Sequence, residues 1–283
     1  MTGKKTILIT GSTGFVGQYL MDYFKDKVNL IGLARSSADI NCDLKNFENT
    51  KKNIKKYKPD IIIHTAGLVD VDICEKCPDK AYEENVLTTK NLLRCIDKST
   101  KFIFLSTIAV YPNTRGPHKE EKINPVNYYG LTKLEAEKNV EKHKNYIILR
   151  SVFFGFSKNK KRITLCDHLL NNLKEELFLK LYQDEFFAPV HATTLANIIN
   201  GLIDCKVTGT YNVATRRGQS KKKFGIYFAK MFGYSKKRLL FIDSVNDKNR
   251  VTRALDSRLN PKKLEKVLNI KMPSLYDEMK KLL

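Results

Sequence analysis

The amino-acid sequence predicts an α/β protein: a parallel sheet flanked by helices, followed by a smaller α/β lobe. Two observations carry the prediction. The chain opens on a strand, a glycine-bearing turn and a helix, and apolar β-branched runs then alternate with helical segments to about residue 152, after which the rhythm weakens.

In the opening unit, Ile7, Leu8 and Ile9 read as a buried strand, and Gly11, Gly14 and Gly17 lead into an amphipathic stretch from Phe15 to Phe24. Gly11 permits a tight turn, Gly14 lets backbone approach a pyrophosphate, and Gly17 lets the helix pack on the strand. The free N–H groups and positive dipole end of the helix then face the phosphates. An ordinary βα turn uses glycine too, but with this flanking the unit reads as the dinucleotide site of a Rossmann-type core.

The later elements follow in order. Val28 to Ala34 reads as a second strand, Asn46 to Tyr57 as a basic helix and Asp60 to Ala66 as a third strand. A single helix is expected from about Asp79 to Asp97, then a fourth strand from Lys101 to Ser106. The three prolines between Tyr111 and Val126 exclude helix there. Tyr128 to His143 reads as a helix with many (i, i+4) charge pairs, and Tyr146 to Val152 as a fifth strand. Beyond Gly155, helices are expected at Ile163 to Leu177, Thr193 to Asp204, Ser220 to Phe232, Pro261 to Leu268 and Ser274 to Leu283. Leu179 to Val190 is mixed and extended, and Gly209 to Ala214 is a short strand. Residues 1–152 are expected to form the cofactor-binding core and 153–283 mainly a substrate-binding lobe, with a segment near 184–204 returning to the core.

At 283 residues and 42% hydrophobic, the chain can bury a full core. No apolar run approaches the roughly 20 residues of a membrane span, and Met1 to Lys5 is too short for a signal peptide, so a cytoplasmic protein is expected. The six cysteines are scattered, which predicts free thiols. Cys74 and Cys77 form a CxxC, but no second such pair or HxxxH completes a zinc site, so no metal is expected. The net charge of +21 is spread along the chain without interleaved aromatics. Solvated faces, with some attraction for an anionic substrate, are expected in place of nucleic-acid binding.

Three signals suggest chemistry. Tyr129 and Lys133 stand four apart on one helical face, where an ammonium can stabilise a phenolate and make the pair an acid/base unit. Ser106 and Thr107 end the fourth strand, at the carboxyl edge where open α/β sheets bind ligands, and a hydroxyl there can hydrogen-bond a carbonyl. The second strand ends in Ala34, Arg35 and Ser36. The carboxylate that would hold an NAD ribose is missing, whereas Arg35 with Ser36 can hold a 2′-phosphate, which favours NADPH, with NADH as the alternative.

The glycine turn, Thr107 and Tyr129-x-x-x-Lys133 together resemble the extended short-chain dehydrogenase/reductases over nearly the whole chain. Within them the chain is most similar to the dTDP-4-dehydrorhamnose reductase family. The stretches from Lys58 to Gly67, Pro125 to Gly130, Asp184 to Val190 and Arg253 to Leu264, with Asp72, Glu75, Asn85 and Val86, carry that resemblance. It implies Gly11, Thr13, Gly14, Phe15 and Val16 at the pyrophosphate, Asp43 and Leu44 beside the adenine, and Ala66 and Gly67 along the cofactor. Thr107, Tyr129 and Lys133 match the catalytic trio, with Tyr129 as proton donor and Lys133 lowering its pKa while holding the nicotinamide ribose.

The implied substrate is a nucleotide-diphosphate sugar, the implied reaction reduction of a 4-keto-6-deoxy sugar, and the assembly a homodimer. Sugar-nucleotide dehydratases carry Asp-Glu where Ile108 and Ala109 stand, which argues against dehydration. A nucleotide-sugar 4-epimerase and a non-catalytic NADP-binding regulatory subunit, similar to that of methionine adenosyltransferase, stay as alternatives. Relatives often have glycine at Thr88 and a tryptophan after the fifth strand. This chain has no tryptophan, so its sugar is expected to differ from rhamnose. Arg253 and the basic stretch Lys158 to Arg162 are candidates for the substrate diphosphate.

Overall fold

Seven strands meet in one all-parallel sheet whose four central strands are apolar and buried on both faces, while its two edge strands are partly exposed. A computed structural model of the chain describes residues 4–159, 162–247 and 250–283. The first half runs β1 (Thr6–Thr10), α1 (Phe15–Phe24), β2 (Asn29–Ala34), β3 (Ile40–Asn41), α2 (Phe47–Tyr57), β4 (Ile61–His64), α3 (Val71–Lys76), α4 (Pro78–Tyr82), α5 (Thr88–Cys95), β5 (Lys101–Thr107), α6 (Tyr128–Val140) and β6 (Tyr146–Ser151). The second half adds β7 (Phe153–Phe154), α7 (Leu165–Lys174), β8 (Leu179–Tyr182), β9 (Phe186–Phe187), β10 (Val190–His191), α8 (Ala192–Ile203), β11 (Gly209–Asn212), β12 (Gln219–Ser220), α9 (Lys221–Met231), β13 (Leu239–Ile242), α10 (Lys262–Leu268) and α11 (Leu275–Met279).

The strand order is β11-β6-β5-β4-β1-β2-β3. The chain winds outward from β1 to β3, then returns to β4 on the other side of β1. That reversal opens a crevice beyond the carboxyl ends of β1 and β4, where ligands of such sheets bind. Ile9 pairs in register with Gly32 on one side and Ile63 on the other, and Ile103 with Ile147. Alternation then sorts the side chains. Ile7, Ile9, Ile63, Ile103 and Leu149 pack with α1, α8 and α10 on one face. Leu8, Ile62, Phe102, Phe104 and Ile148 pack with α2, α5 and α6 on the other. Each such side chain stabilises the fold by about 1.5–3 kcal/mol.

A third core gathers Phe154, Leu169, Leu181, Phe187, Phe224, Phe228 and Met279 from α7, α9, α11 and the short strands. Three two-stranded pairs frame it: β10 with β7, β12 with β9 and β13 with β8.

The helix expected from Asp79 to Asp97 is a continuous helical run from Pro78 to Cys95, with a π-helical turn at Glu83–Leu87 between α4 and α5. The wider turn coincides with the buried side chain of Asn85, which accepts from Leu68 N at 2.8 Å and donates to Thr132 Oγ1 at 3.0 Å. Thr88 and Thr89 hydroxyls donate back to the carbonyls of Glu84 and Asn85, both at 2.7 Å. The sequence reading did not place α3 or β13. The first is a six-residue helix capped by Asp70, and the second lacks alternation because only its first residue is fully buried.

His64 lies between the hydroxyls of Thr10, at 2.7 Å, and Thr89, at 3.1 Å. Burial, with Lys133 nearby, pushes it down to about 3. His191, also buried and facing Lys281, is pushed down to about 4. Both are neutral in the folded chain at pH values where an unfolded histidine, with its pKa of about 6.5, takes up a proton. Folding stability is therefore complete above that pH and expected to fall as pH drops from about 6.5 towards 4.5, by up to roughly 1.4 kcal/mol per unit for each histidine. Asp72, Asp184, Glu185 and Asp256 are held below their ordinary range by hydrogen bonds and cations, so they contribute to acid loss only lower down. Urea midpoints between pH 7 and pH 5 check this, and a flat profile would contradict it.

Candidate active site

The turn after β1 is built for a backbone approach. Gly11 sits at φ +67, in the left-handed region, and a Cβ on it would stand 2.8 Å from Ala66 N at the end of β4. Gly14 N donates to Gly11 O at 2.9 Å and caps α1 without a side chain. No acidic residue lies in the first turn of α1, so its amides and positive dipole end face the crevice unopposed.

The phenol comes from the start of α6. Asn127 caps that helix, accepting from Gly130 N at 2.9 Å, and Glu75 accepts from Tyr128 N at 2.9 Å. A Cβ on Gly130 would stand 2.2 Å from Ala109 O, so only glycine lets the helix press against the turn that follows β5. This approach brings Tyr129 into hydrogen bonding with the Thr107 side chain. Thr107, ending β5, also accepts from Ala109 N at 3.1 Å.

The electrostatics differ from the sequence expectation in one respect. Burial pushes the Tyr129 phenol up to about 12, with the Thr107 hydrogen bond drawing it down and Cys74 raising it further; Lys133 is not among the groups that shift it. The Lys133 ammonium donates to Leu105 O at 2.8 Å and lies 3.9 Å from the Phe104 ring centroid. Burial pushes Lys133 down to about 7, against the opposing pull of Glu137 one turn along α6. The expected lowering of the tyrosine pKa by Lys133 is thus overridden by desolvation, and Tyr129 is a protonated phenol at neutral pH.

These groups share one cleft of about 670 Å³ at the carboxyl edge of the sheet. Gly11, Thr13, Gly14, Phe15, Val16, Arg35, Ser36, Asp43, Leu44, Ala66, Gly67, Thr107, Tyr129 and Lys133 all line it. Arg35, two-thirds exposed, pairs with Glu84 at 3.2 Å. Arg253 does not line this cleft: it pairs with Asp72 at 2.9 Å, and Asn127 Nδ2 donates to the adjacent Thr252 O at 3.0 Å. Of the basic stretch, Lys160 and Lys161 lie outside the described residues, Lys158 pairs with Asp22, and Arg162 lines the cleft.

Glu84, Cys42 and Asn159 also line the cleft, and no motif marks them, because each reaches it from a different part of the chain. A second concavity, of about 690 Å³, lies at the opposite edge of the sheet among Lys5, Asp60, Lys101 and Asn145, away from all of these groups. Cys74 is buried and its thiol pushed up to about 11 by burial, while Cys77 is exposed. Among the described residues no three His, Cys, Asp or Glu gather to hold a metal, and no helix is long and apolar enough to cross a membrane.

The cleft fits a dinucleotide with a 2′-phosphate. The uncapped helix end and the glycine turn suit a pyrophosphate, and Arg35 with Ser36 suits the phosphate on the ribose. Ser106 Oγ, buried at the cleft wall, has no hydrogen-bond partner among the described residues and leaves a donor and acceptor for a ligand.

Known proteins share this architecture. The solved dTDP-4-dehydrorhamnose reductase of Bacillus anthracis, in complex with NADP, superposes with a TM-score of 0.90 at 23% identity, covering 99% of this chain and 98% of that one. A dTDP-4-dehydrorhamnose reductase of Shigella flexneri is 32% identical over 197 residues, 68% of this chain and 64% of the relative. The chain thus aligns with a little under two thirds of that curated reductase's length. Methionine adenosyltransferase 2 subunit beta of Xenopus laevis is 34% identical over 143 residues, 48% of this chain and 43% of the relative. The model of the RmlD substrate binding domain matches residues 5–283, and the chain belongs to that family.

Proposed function

We propose that this chain is an NADPH-dependent reductase of a nucleotide-linked 4-keto-6-deoxy sugar, serving deoxysugar synthesis for surface polysaccharide. The observation that carries the reading is that Tyr129, Thr107 and Lys133 line the same cleft as the glycine turn at the carboxyl edge of the sheet. Gly11, Thr13, Gly14, Phe15 and Val16 would hold the pyrophosphate, Asp43 and Leu44 the adenine, Arg35 and Ser36 the 2′-phosphate, and Ala66 and Gly67 the middle of the dinucleotide. When bound, NADPH supplies the hydride for the ketone carbon. Tyr129 gives its proton to the carbonyl oxygen, which Thr107 holds by a hydrogen bond. Lys133, fixed by the Leu105 carbonyl, would hold the nicotinamide ribose through its ammonium.

Residues 1–152 act in this reading as the cofactor core and 153–283 mainly as the substrate lobe, with 184–204 returning to the core. The protein works in the cytoplasm as a homodimer, away from membrane and nucleic acid. Mixing the purified protein with NADPH and a panel of dTDP-, UDP- and GDP-linked 4-keto-6-deoxyhexoses should consume nicotinamide absorbance with one of them. No consumption on any sugar, together with co-purification in fixed ratio with another enzyme, would favour a regulatory subunit like the methionine adenosyltransferase relative.

A further inference from the structure

We propose that Arg162, contributed by the segment beyond β7, neutralises the cofactor's pyrophosphate from across the glycine turn and joins the two halves of the chain through the bound dinucleotide. The proposal rests on the dinucleotide reading of the cleft. Arg162 lines that cleft, and its Nη1 lies 4.0 Å from the point a Cβ on Gly14 would occupy. Because Gly14 has no side chain, nothing of its own stands between the guanidinium and the start of α1. The uncapped amides of that helix and the Arg162 fork therefore converge on one anion position.

The pairing of the neighbouring cations supports this assignment. Arg35 is matched by Glu84, and Lys158 by Asp22. Arg162 alone of the three has no side-chain hydrogen bond or ion pair among the described residues. Its position is nonetheless fixed by its surroundings. Arg162 N donates to Asn159 O at 2.9 Å, Asn159 Nδ2 donates to Thr13 O at 3.3 Å inside the glycine turn, and Tyr19 OH of α1 donates to Phe156 O at 2.9 Å. Downstream, Thr164 donates to Gly155 O at 2.8 Å and forms a capping box with Asp167 at the start of α7. Phe156 and Asn159 are thus held against α1 and the glycine turn, and the Arg162 guanidinium lies beside Gly14. The basic stretch that suggested a substrate diphosphate in the sequence delivers this arginine to the cofactor side.

The pyrophosphate is common to NADPH and NADH, whereas the 2′-phosphate is not, so two substitutions separate the roles. Titrations monitored by dihydronicotinamide fluorescence should show Arg162→Ala weakening NADPH and NADH alike, by about tenfold, with a shallower salt dependence and partial recovery in Arg162→Lys. Arg35→Ala should weaken NADPH alone. Unchanged affinity for both cofactors in Arg162→Ala, loss of NADPH only, or weakened dTDP binding with unchanged cofactor affinity would each overturn the assignment. Wild-type protein that binds neither cofactor would overturn the dinucleotide reading itself, and the assignment with it. Arg162 is exposed, so an unchanged melting temperature is expected in the variants.

Discussion

Tyr129→Phe is expected to lower kcat by about 10³-fold or more while leaving the dissociation constant for NADPH within a factor of about two. The phenol lines the cleft, and burial pushes its pKa up to about 12, so at neutral pH it carries the proton that the proposed reduction of a ketone oxygen requires. Phenylalanine keeps the ring that packs with Cys74 and Ala81 but removes the proton. Water is a weaker and unpositioned proton donor, and the loss should appear in kcat and kcat/KM together. Single-turnover absorbance of bound NADPH on the reactive sugar measures it. Turnover within tenfold of wild type would exclude Tyr129 as the donor.

Glu137→Ala is expected to destabilise the folded chain by about 3–5 kcal/mol. Arg150 and Glu137 are both 1% exposed and joined by two hydrogen bonds, Nε to Oε1 at 2.9 Å and Nη2 to Oε2 at 2.6 Å. Arg150 Nη1 also donates to Glu120 O at 2.7 Å and to Tyr111 OH at 3.1 Å, and Tyr111 OH donates to Asn212 Oδ1 at 2.5 Å. One network therefore ties α6, which carries Tyr129 and Lys133, to β6, to β11 and to the proline-rich segment before α6. Removing the carboxylate leaves a guanidinium in the core with no counter-charge. Replacing both partners, as in Glu137→Met with Arg150→Met, should recover most of the loss, because the desolvation cost disappears with the pair. Urea unfolding of the three variants checks this, and a Glu137→Ala cost below about 1 kcal/mol would contradict it.

Much of the site was legible because its signals are local. Glycines at 11, 14 and 17 set a backbone shape within one turn, and Tyr129 and Lys133 share a helical face whatever surrounds them. The hydroxyl of Thr107 sits at the carboxyl end of a strand that its apolar run already marks. Arg253 was legible only as a cation, since its distance from the cleft depends on Asp72, some 180 residues earlier in the chain. The π-helical turn between α4 and α5 was hidden for a similar reason: it coincides with Asn85 reaching Leu68 and Thr132, and neither contact leaves a mark on helical periodicity.

The sequence by itself determined the parallel sheet, the glycine turn, the helix that carries Tyr129 and Lys133 on one face, and an arginine instead of a carboxylate at the end of β2, because hydrophobic period, turn chemistry and residue type act within a few residues. Only the tertiary structure decided that β11 closes the sheet beside β6, that Arg162 crosses to the glycine turn, and that Lys133 faces a carbonyl while burial, not its charge, governs the phenol. Those outcomes depend on which distant surfaces exclude water together, and desolvation belongs to the packed whole and not to any stretch of chain.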